Sequence, residues 1–235
     1  MNKFMGLAVI ILLCFSLNFM VEGREVIDFV PVVERIEDND MVELRSLSEE
    51  FGWQLIFLSQ EKSVVIKGNG GTLELGIDKE EFAGSKLDNK PLIQEGRTYI
   101  DFETVSILFE EMEVDNPPEF ASYMVLEETD GERGSNFTGE INLFNFTGEE
   151  QVLNFSSGQK YDLFLLKDGK EVWRWSEGKM FTMALVEKKI LPDERLKLPF
   201  DFEISEDLVS GDYILKGVIT AVEGFEAGSR EIKIK

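Results

Sequence analysis

Residues 157–181 read SGQKYDLFLLKDGKEVWRWSEGKMF. Tyr161, Leu163 and Leu165 recur at every second position, Asp168-Gly169 breaks the run, and Trp173 and Trp175 resume the alternation. A period of two on both sides of an Asp-Gly pair predicts two strands joined by a turn, with Trp173 and Trp175 on one face and Arg174 on the other. The rings then either fill a core or anchor a partner. If Trp173 is buried, Trp173→Ala costs about 3–5 kcal/mol, and far less if it is exposed. The following residues, 176–179, hold one glycine and no large apolar side chain, which predicts an exposed connection. Met180 and Phe181 then either re-enter the core or stand as an exposed pair of anchors.

The same period runs outward from this stretch. Ile141 and Leu143 precede it; Leu196, Leu198 and Phe200, then Tyr213, Leu215, Gly217 and Ile219, then Ile232 and Ile234 follow. Turn signals separate the runs at Thr147-Gly148, Ser157-Gly158, Pro192-Asp193, Ser210-Gly211 and Ala227-Gly228. Short alternating strands at such intervals predict an all-β antiparallel sandwich over residues 136–235. The weakest part of that pattern is residues 177–189, where Met180, Phe181, Met183, Ala184 and Leu185 follow no period.

Upstream the period changes. Residues 41–55, MVELRSLSEEFGWQL, start as a strand and become a helix, with Leu44, Leu47 and Phe51 at helical spacing. Ser46 with Glu49 reads as a capping box and Gly52 as a stop. Two strands, 63–67 and 72–77, flank the turn Gly68-Asn69-Gly70-Gly71. Val42, Leu44, Leu47 and Phe51 are matched by Ile100, Phe102, Val105 and Phe109, each 58 residues later, with Asp101 as a second N-cap. The shared spacing predicts a duplicated strand-turn-helix unit, so this half is α+β. Pro117-Pro118 and the Gly- and charge-rich residues 130–135 mark a junction, read as a linker over residues 116–135. Residues 121–126 form a short strand that belongs to either side.

Composition narrows the function. The chain has 235 residues, 46 Asp and Glu against 24 Lys and Arg, and a net charge of -22. Such a surface repels phosphate backbones and anionic lipid, which disfavours nucleic acid and membrane surfaces as partners. The chain has no histidine. Ser-His-Asp and Cys-His catalysis are therefore excluded, as are imidazole-based zinc and copper sites. No Gly-rich phosphate loop or EF-hand ladder is present, and no carboxylate pair is singled out by spacing. No catalytic residue, cofactor site or metal site is assigned. Residues 1–23, MNKFMGLAVIILLCFSLNFMVEG, run from a lysine through an apolar stretch to a small residue, the order of a secretory signal peptide cut after Gly23. The alternative is an uncleaved anchor, the one route by which this chain touches a membrane. Cleavage would remove Cys14, the single cysteine, and leave a secreted or envelope-located chain without a disulfide.

Two resemblances follow from these residues. VELRSLSEEFGWQL, KSVVIKG and KPLIQEGRTYIDFETVSILFEE resemble the copper amine oxidase N-terminal-like domain, over about residues 30–115 and placed in a domain spanning 24–115. Its most specific pieces are Leu44-Arg45, Phe51-Gly52-Trp53 and Gly96-Arg97-Thr98-Tyr99. Asp101, Glu103 and Glu110 stand where that family usually has Pro, Arg and Gly. The resemblance implies an accessory α+β module of bacterial cell-surface proteins, and no copper. NFSSGQKYDLFLLKDGKEVWRWSEGKMFTMAL, with ILPDERLKLPFDF and GDYILKGVIT, is similar to the BsuPI family of bacterial proteinase inhibitors over residues 136–222. That resemblance implies an immunoglobulin-like sandwich with a protease-binding loop. Exported, the chain would meet an extracellular serine protease and not an intracellular one.

The contact expected from these residues is Arg174, Ser176, Glu177, Gly178, Lys179, Met180 and Phe181, with Arg174 or Lys179 offering charge and Met180 or Phe181 filling a pocket. A cell-envelope structural or adhesion protein that binds wall polymer or envelope proteins is the competing reading. Three sequons, at Asn136, Asn145 and Asn154, are read as strand and turn residues and not as glycosylation sites.

Overall fold

A computed structural model describes residues 28–235 throughout and the backbone of 19–21 and 24–26. The expected signal peptide, its cleavage site and Cys14 lie outside the described residues, except that β1 (Phe19–Val21) pairs antiparallel with β2 (Arg24–Val26). Among the described residues no helix is long and apolar enough to cross a membrane.

The N-terminal half is built from hairpins and two helices. β3 (Asp28–Phe29) leads to β4 (Val33–Ile36) and β5 (Asn39–Glu43), joined by a two-residue turn in which Glu37 and Asp38 both have positive φ. α1 (Leu44–Glu50) follows directly and buries Leu44 and Leu47. The expected capping box does not form, because the helix starts three residues earlier than that motif requires. Glu43 occupies the N-cap without a side-chain bond, and the Ser46 hydroxyl donates instead to the Glu43 carbonyl at 2.8 Å. Gly52 does end the helix: its φ is +67°, and Trp53 N–H donates to the Ser48 carbonyl at 2.8 Å, the bond that closes a left-handed C-terminal cap.

β6 (Gln54–Leu58), β7 (Ser63–Gly68) and β8 (Gly71–Gly76) form a three-stranded meander. Its Asn69-Gly70 turn abuts the end of the second helix. A Cβ on Gly70 would sit 2.2 Å from the Met112 carbonyl oxygen, a backbone atom that cannot swing away. Gly70→Ala is expected to cost about 2 kcal/mol by forced displacement, measurable as a lower urea midpoint. The short hairpin β9 (Glu81–Phe82) and β10 (Ser85–Lys86) leads to β11 (Leu92–Gln94) and β12 (Arg97–Ile100). β12 pairs with β5, placing Ile100 opposite Val42 in the sheet β11-β12-β5-β4. α2 (Phe102–Glu111) is capped as its sequence predicts, with Asp101 accepting from Thr104 N–H at 2.8 Å and from the Thr104 hydroxyl at 2.6 Å.

The second half is all strand. β13 (Phe120–Leu126), β15 (Asn136–Asn145) and β20 (Arg195–Glu203) form one sheet with β3 at its edge. The facing sheet runs β14 (Asp130–Gly131), β22 (Phe225–Ile234), β21 (Gly211–Ile219), β17 (Tyr161–Lys167) and β18 (Lys170–Arg174). A separate pair, β16 (Gln151–Phe155) with β19 (Val186–Ile190), closes one side. Inward residues of the two large sheets enclose one apolar core: Ile141 and Leu198 from the first meet Leu163, Leu215 and Ile232 from the second. The chain is thus mostly β, with several sheets.

β13 lies within residues 116–135, the stretch expected to be a linker, and it is a central strand. Phe120 and Met124 enter the core between the two large sheets, while Ala121, Tyr123 and Val125 enter the core of the N-terminal half. The sheet β20-β15-β13-β3 therefore has an apolar layer on each face. A strand covered on both sides has no polar face to alternate with, so ASYMVL carries no period in sequence.

A polar knot reinforces this contact. The Asp40 carboxylate, 1% exposed, accepts from Arg35 Nε at 2.9 Å, Arg195 Nη1 at 2.6 Å and the Tyr123 hydroxyl at 3.0 Å. Arg35 also reaches Glu140 at 2.9 Å. From β22, Arg230 donates to the carbonyls of Val33 at 2.6 Å and Met124 at 3.0 Å. These bonds join β4 and β5 to β13, β15, β20 and β22, so the two halves bear on one another through buried side chains.

Candidate functional site

The segment between β18 and β19 is the long exposed loop of the second half. Its base is fixed by Asp162, a buried carboxylate on β17. Asp162 accepts from Ser176 N–H at 3.1 Å, from the Ser176 hydroxyl at 2.6 Å and from Leu163 N–H at 3.0 Å. Turns follow, with Glu177 N–H bonded to the Arg174 carbonyl and Lys179 N–H to that of Ser176. Gly178 takes φ +74°, the left-handed conformation that glycine adopts without strain. Further on, Gly158 N–H donates to the Thr182 carbonyl at 2.9 Å, and a Cβ on Gly158 would meet the Thr182 hydroxyl at 2.5 Å. Two anchors, Ser176 and Thr182, thus hold the loop to β17 and to the 156–160 turn.

The rings sort by depth. Trp173 stacks on Phe202 at 4.8 Å and Trp175 lies 4.5 Å from Tyr161, yet both are only half-buried, because β18 is an edge strand. They pack against the core without filling it. Trp173→Ala is therefore expected to cost about 2 kcal/mol, below the loss for an enclosed ring, read from the shift in denaturation midpoint. Arg174 lies on the opposite face, as the alternation requires, over the Phe164 ring at 4.5 Å.

The seven residues expected to make contact have separate fates. Arg174 is held by Glu171 in a two-bond fork, each bond 3.0 Å. Lys179 lies over Trp175 with Nζ 3.4 Å from the ring centroid, and burial lowers its ammonium pKa. Phe181 is half-buried, 5.9 Å from Trp175. Ser176 turns inward to Asp162, while Glu177 and Gly178 are exposed in the turn. Met180 is the large apolar side chain among them that stands in solvent, 97% exposed.

The sequence reading passed over two further side chains. Met183 is 98% and Leu185 85% exposed. No backbone N–H from Met180 through Ala184 donates to another described residue, and residues 180–185 lie outside any helix or strand. Large apolar side chains on an anchored loop leave the apolar area available to a partner, with little ordering cost for the anchored part. The signal in the sequence was the very lack of period in 177–189: residues that serve no sheet face need not alternate.

Comparison with known proteins now bears on this geometry. The family model described as copper amine oxidase N-terminal domain matches residues 20–116, and that described as BsuPI, intracellular proteinase inhibitor, matches residues 124–224. No curated protein matches the chain. Among solved structures it is similar to the sporulation control protein Spo0M from Bacillus subtilis, at 16% identity over 51% of this chain and 50% of that one, with a TM-score of 0.35. It is also similar to the DNA glycosylase AlkC from Pseudomonas fluorescens, at 10% identity over 50% of this chain and 30% of that one, with a TM-score of 0.34. The CARDB domain of a Pyrococcus furiosus protein gives 12% identity over 51% of this chain and 90% of that one, with a TM-score of 0.30. The chain covers less than two thirds of the first two, and at such TM-scores none of the three carries an argument.

The word copper in the first family's description finds no counterpart in the donor set. The chain has no imidazole, and among the described residues no three acidic groups converge in a way that suits a metal ion. By these matches the chain carries, in order, a stretch similar to the copper amine oxidase N-terminal domain over residues 20–116 and one similar to the BsuPI family over residues 124–224.

Proposed function

We propose that this protein is a non-catalytic binding protein that inhibits a serine protease outside the cell, through the loop between β18 and β19. The observation that carries the reading is the pairing of an inhibitor-family domain with an anchored loop whose Met180, Met183 and Leu185 face solvent. The scaffold is an immunoglobulin-like sandwich, and the first domain, built on a duplicated strand-turn-helix unit, buttresses it through the Asp40 knot. The leader over residues 1–23 supports export, and so an extracellular target.

Arg174 and Lys179 are engaged by Glu171 and Trp175, so the loop offers apolar groups and not a free cation to a specificity pocket. That chemistry suits proteases of the subtilisin type, which accept large apolar side chains. The test is subtilisin activity on a peptide substrate at micromolar concentrations of the purified protein. Inhibition is expected, and the triple variant Met180→Ser, Met183→Ser, Leu185→Ser is expected to raise the inhibition constant by about 100-fold at unchanged denaturation midpoint. Undiminished turnover with every protease tried overturns the reading.

A further inference from the structure

The N-terminal domain holds a cleft that plays no part in the inhibitor loop. α1, the β6–β7 hairpin and the β11–β12 hairpin converge on a space of about 260 Å³. Leu55 and buried Val64 form its apolar floor, and Phe57 and Ile93, 52% and 42% exposed, form its rim. Two arginines, Arg45 and Arg97, line the same cleft together with Thr98.

The charge is the informative feature. In a chain with 46 acidic and 24 basic residues, two arginines edge one apolar cleft. No described residue pairs with the Arg45 guanidinium. Arg97 meets Glu43 at 3.3 Å but keeps 55% of its side chain exposed, so its fork is not enclosed. Guanidinium groups bind carboxylates with two parallel bonds, and an apolar floor beside them selects a carboxylate that carries a large side chain. A peptide C-terminus has both groups on one Cα, whereas a glutamate sets its charge at the end of a flexible stem. β6 and β11 are also terminal strands of their sheets, so their outer backbone groups are open to an added strand.

We propose that this cleft binds the C-terminal residue of a partner polypeptide, with its apolar side chain on Leu55 and Val64 and its carboxylate on Arg45 and Arg97. Glu43 pairs with Arg97 at 3.3 Å, and Gly96 at the adjoining turn presents no side chain to obstruct the approach.

The experiment is titration of the full chain with N-acetyl-Ala-Ala-Ala-Leu as its free acid and as its C-terminal amide, followed by amide chemical shifts. The free acid is expected to bind saturably and at least about tenfold more tightly than the amide. Arg45→Gln, on an exposed helical position, is expected to abolish that difference while circular dichroism stays unchanged. Ile93→Thr is expected to weaken both forms. The proposal is overturned if acid and amide bind alike, if neither binds at millimolar peptide, or if Arg45→Gln keeps the preference. It is equally overturned if the amidated peptide N-acetyl-Ala-Ala-Glu-Leu binds as tightly as the free acid, since an internal carboxylate would then suffice.

Discussion

Asp40→Ala is expected to destabilise the protein by about 3–5 kcal/mol, the loss typical when one partner of a buried ion pair is removed. The Asp40 carboxylate is 1% exposed and receives Arg35, Arg195 and the Tyr123 hydroxyl at once. Without it Arg35 and Arg195, each about a third exposed, lose the carboxylate they share, and Tyr123, itself fully buried, loses its acceptor. The penalty has a spatial signature as well. Trp53 reports from the N-terminal core, whereas Trp173 and Trp175 report from the sandwich. In the parent protein their fluorescence is expected to change in one urea transition, because β13 contributes to both cores. In Asp40→Ala the two halves are expected to separate into distinct transitions. A variant that also carries Arg195→Met is expected to recover part of the loss, by removing one of the stranded charges.

Stability is expected to fall as pH rises from about 4 to about 7, through Asp28. This residue sits in β3, 6% exposed, opposite Phe120 at the edge of the sheet shared by the two halves. Burial raises its carboxyl from 3.8 to about 7, its own backbone N–H opposes the shift, and Glu226 adds to it. The folded chain therefore holds a proton that the unfolded chain releases above its ordinary value. Below pH 4 both states are protonated and the full stability is present. Between the two values stability drops with each pH unit, and above about 7 the loss is complete, at roughly 4 kcal/mol. Other carboxylates titrate too, so the measurement is the difference between the parent and Asp28→Asn in denaturation midpoint at pH 4, 6 and 8. The amide cannot ionise, and the variant is expected to gain on the parent steadily across that range. Parallel curves would contradict the assignment.

Both predictions concern residues whose roles were hidden in the sequence, and the reason is the same. Alternation was legible where a strand has one wet face, as in Tyr213, Leu215 and Ile219 of β21, or Leu196, Leu198 and Phe200 of β20. β13 has no wet face. Tyr123 and Met124 point into different cores, and the strand reads as a structureless apolar patch after Pro117-Pro118. Asp40 likewise reads as part of an Asp-Asn-Asp turn. Only the docking of β20, 155 residues later, brings Arg195 to it. Local signals with a single physical cause were legible: the Asp101 cap, the Gly52 stop and the Asp168-Gly169 turn, whose two residues have φ of 51° and 74°. The capping box at Ser46 was a local signal overridden by the pairing of β5 with β12, which carries the strand up to Glu43.

The candidate loop was legible in position and only partly in content. The Asp-Gly turn, the alternation of Trp173 and Trp175 and the polar residues 176–179 placed it after Trp175. Which side chains stay wet depended on contacts no local pattern records: Lys179 on Trp175, Arg174 on Glu171, Ser176 on Asp162. Of the two positions left open for Met180, core or solvent, the chain takes solvent, together with Met183 and Leu185. Of the charge expected from Arg174 or Lys179 and the apolar side chain expected from Met180 or Phe181, the charged groups are engaged within the chain and Met180 is left to solvent.

Hydrogen exchange of the protein with and without subtilisin inactivated at its serine tests this most directly. The backbone amides of residues 180–184 have no partner among the described residues of the free chain, so they are expected to exchange within seconds alone and to slow markedly in the complex. Protection centred on 176–185 is the predicted result. A complex whose protection lies elsewhere, or a loop that exchanges as fast with the protease as without it, would contradict the account.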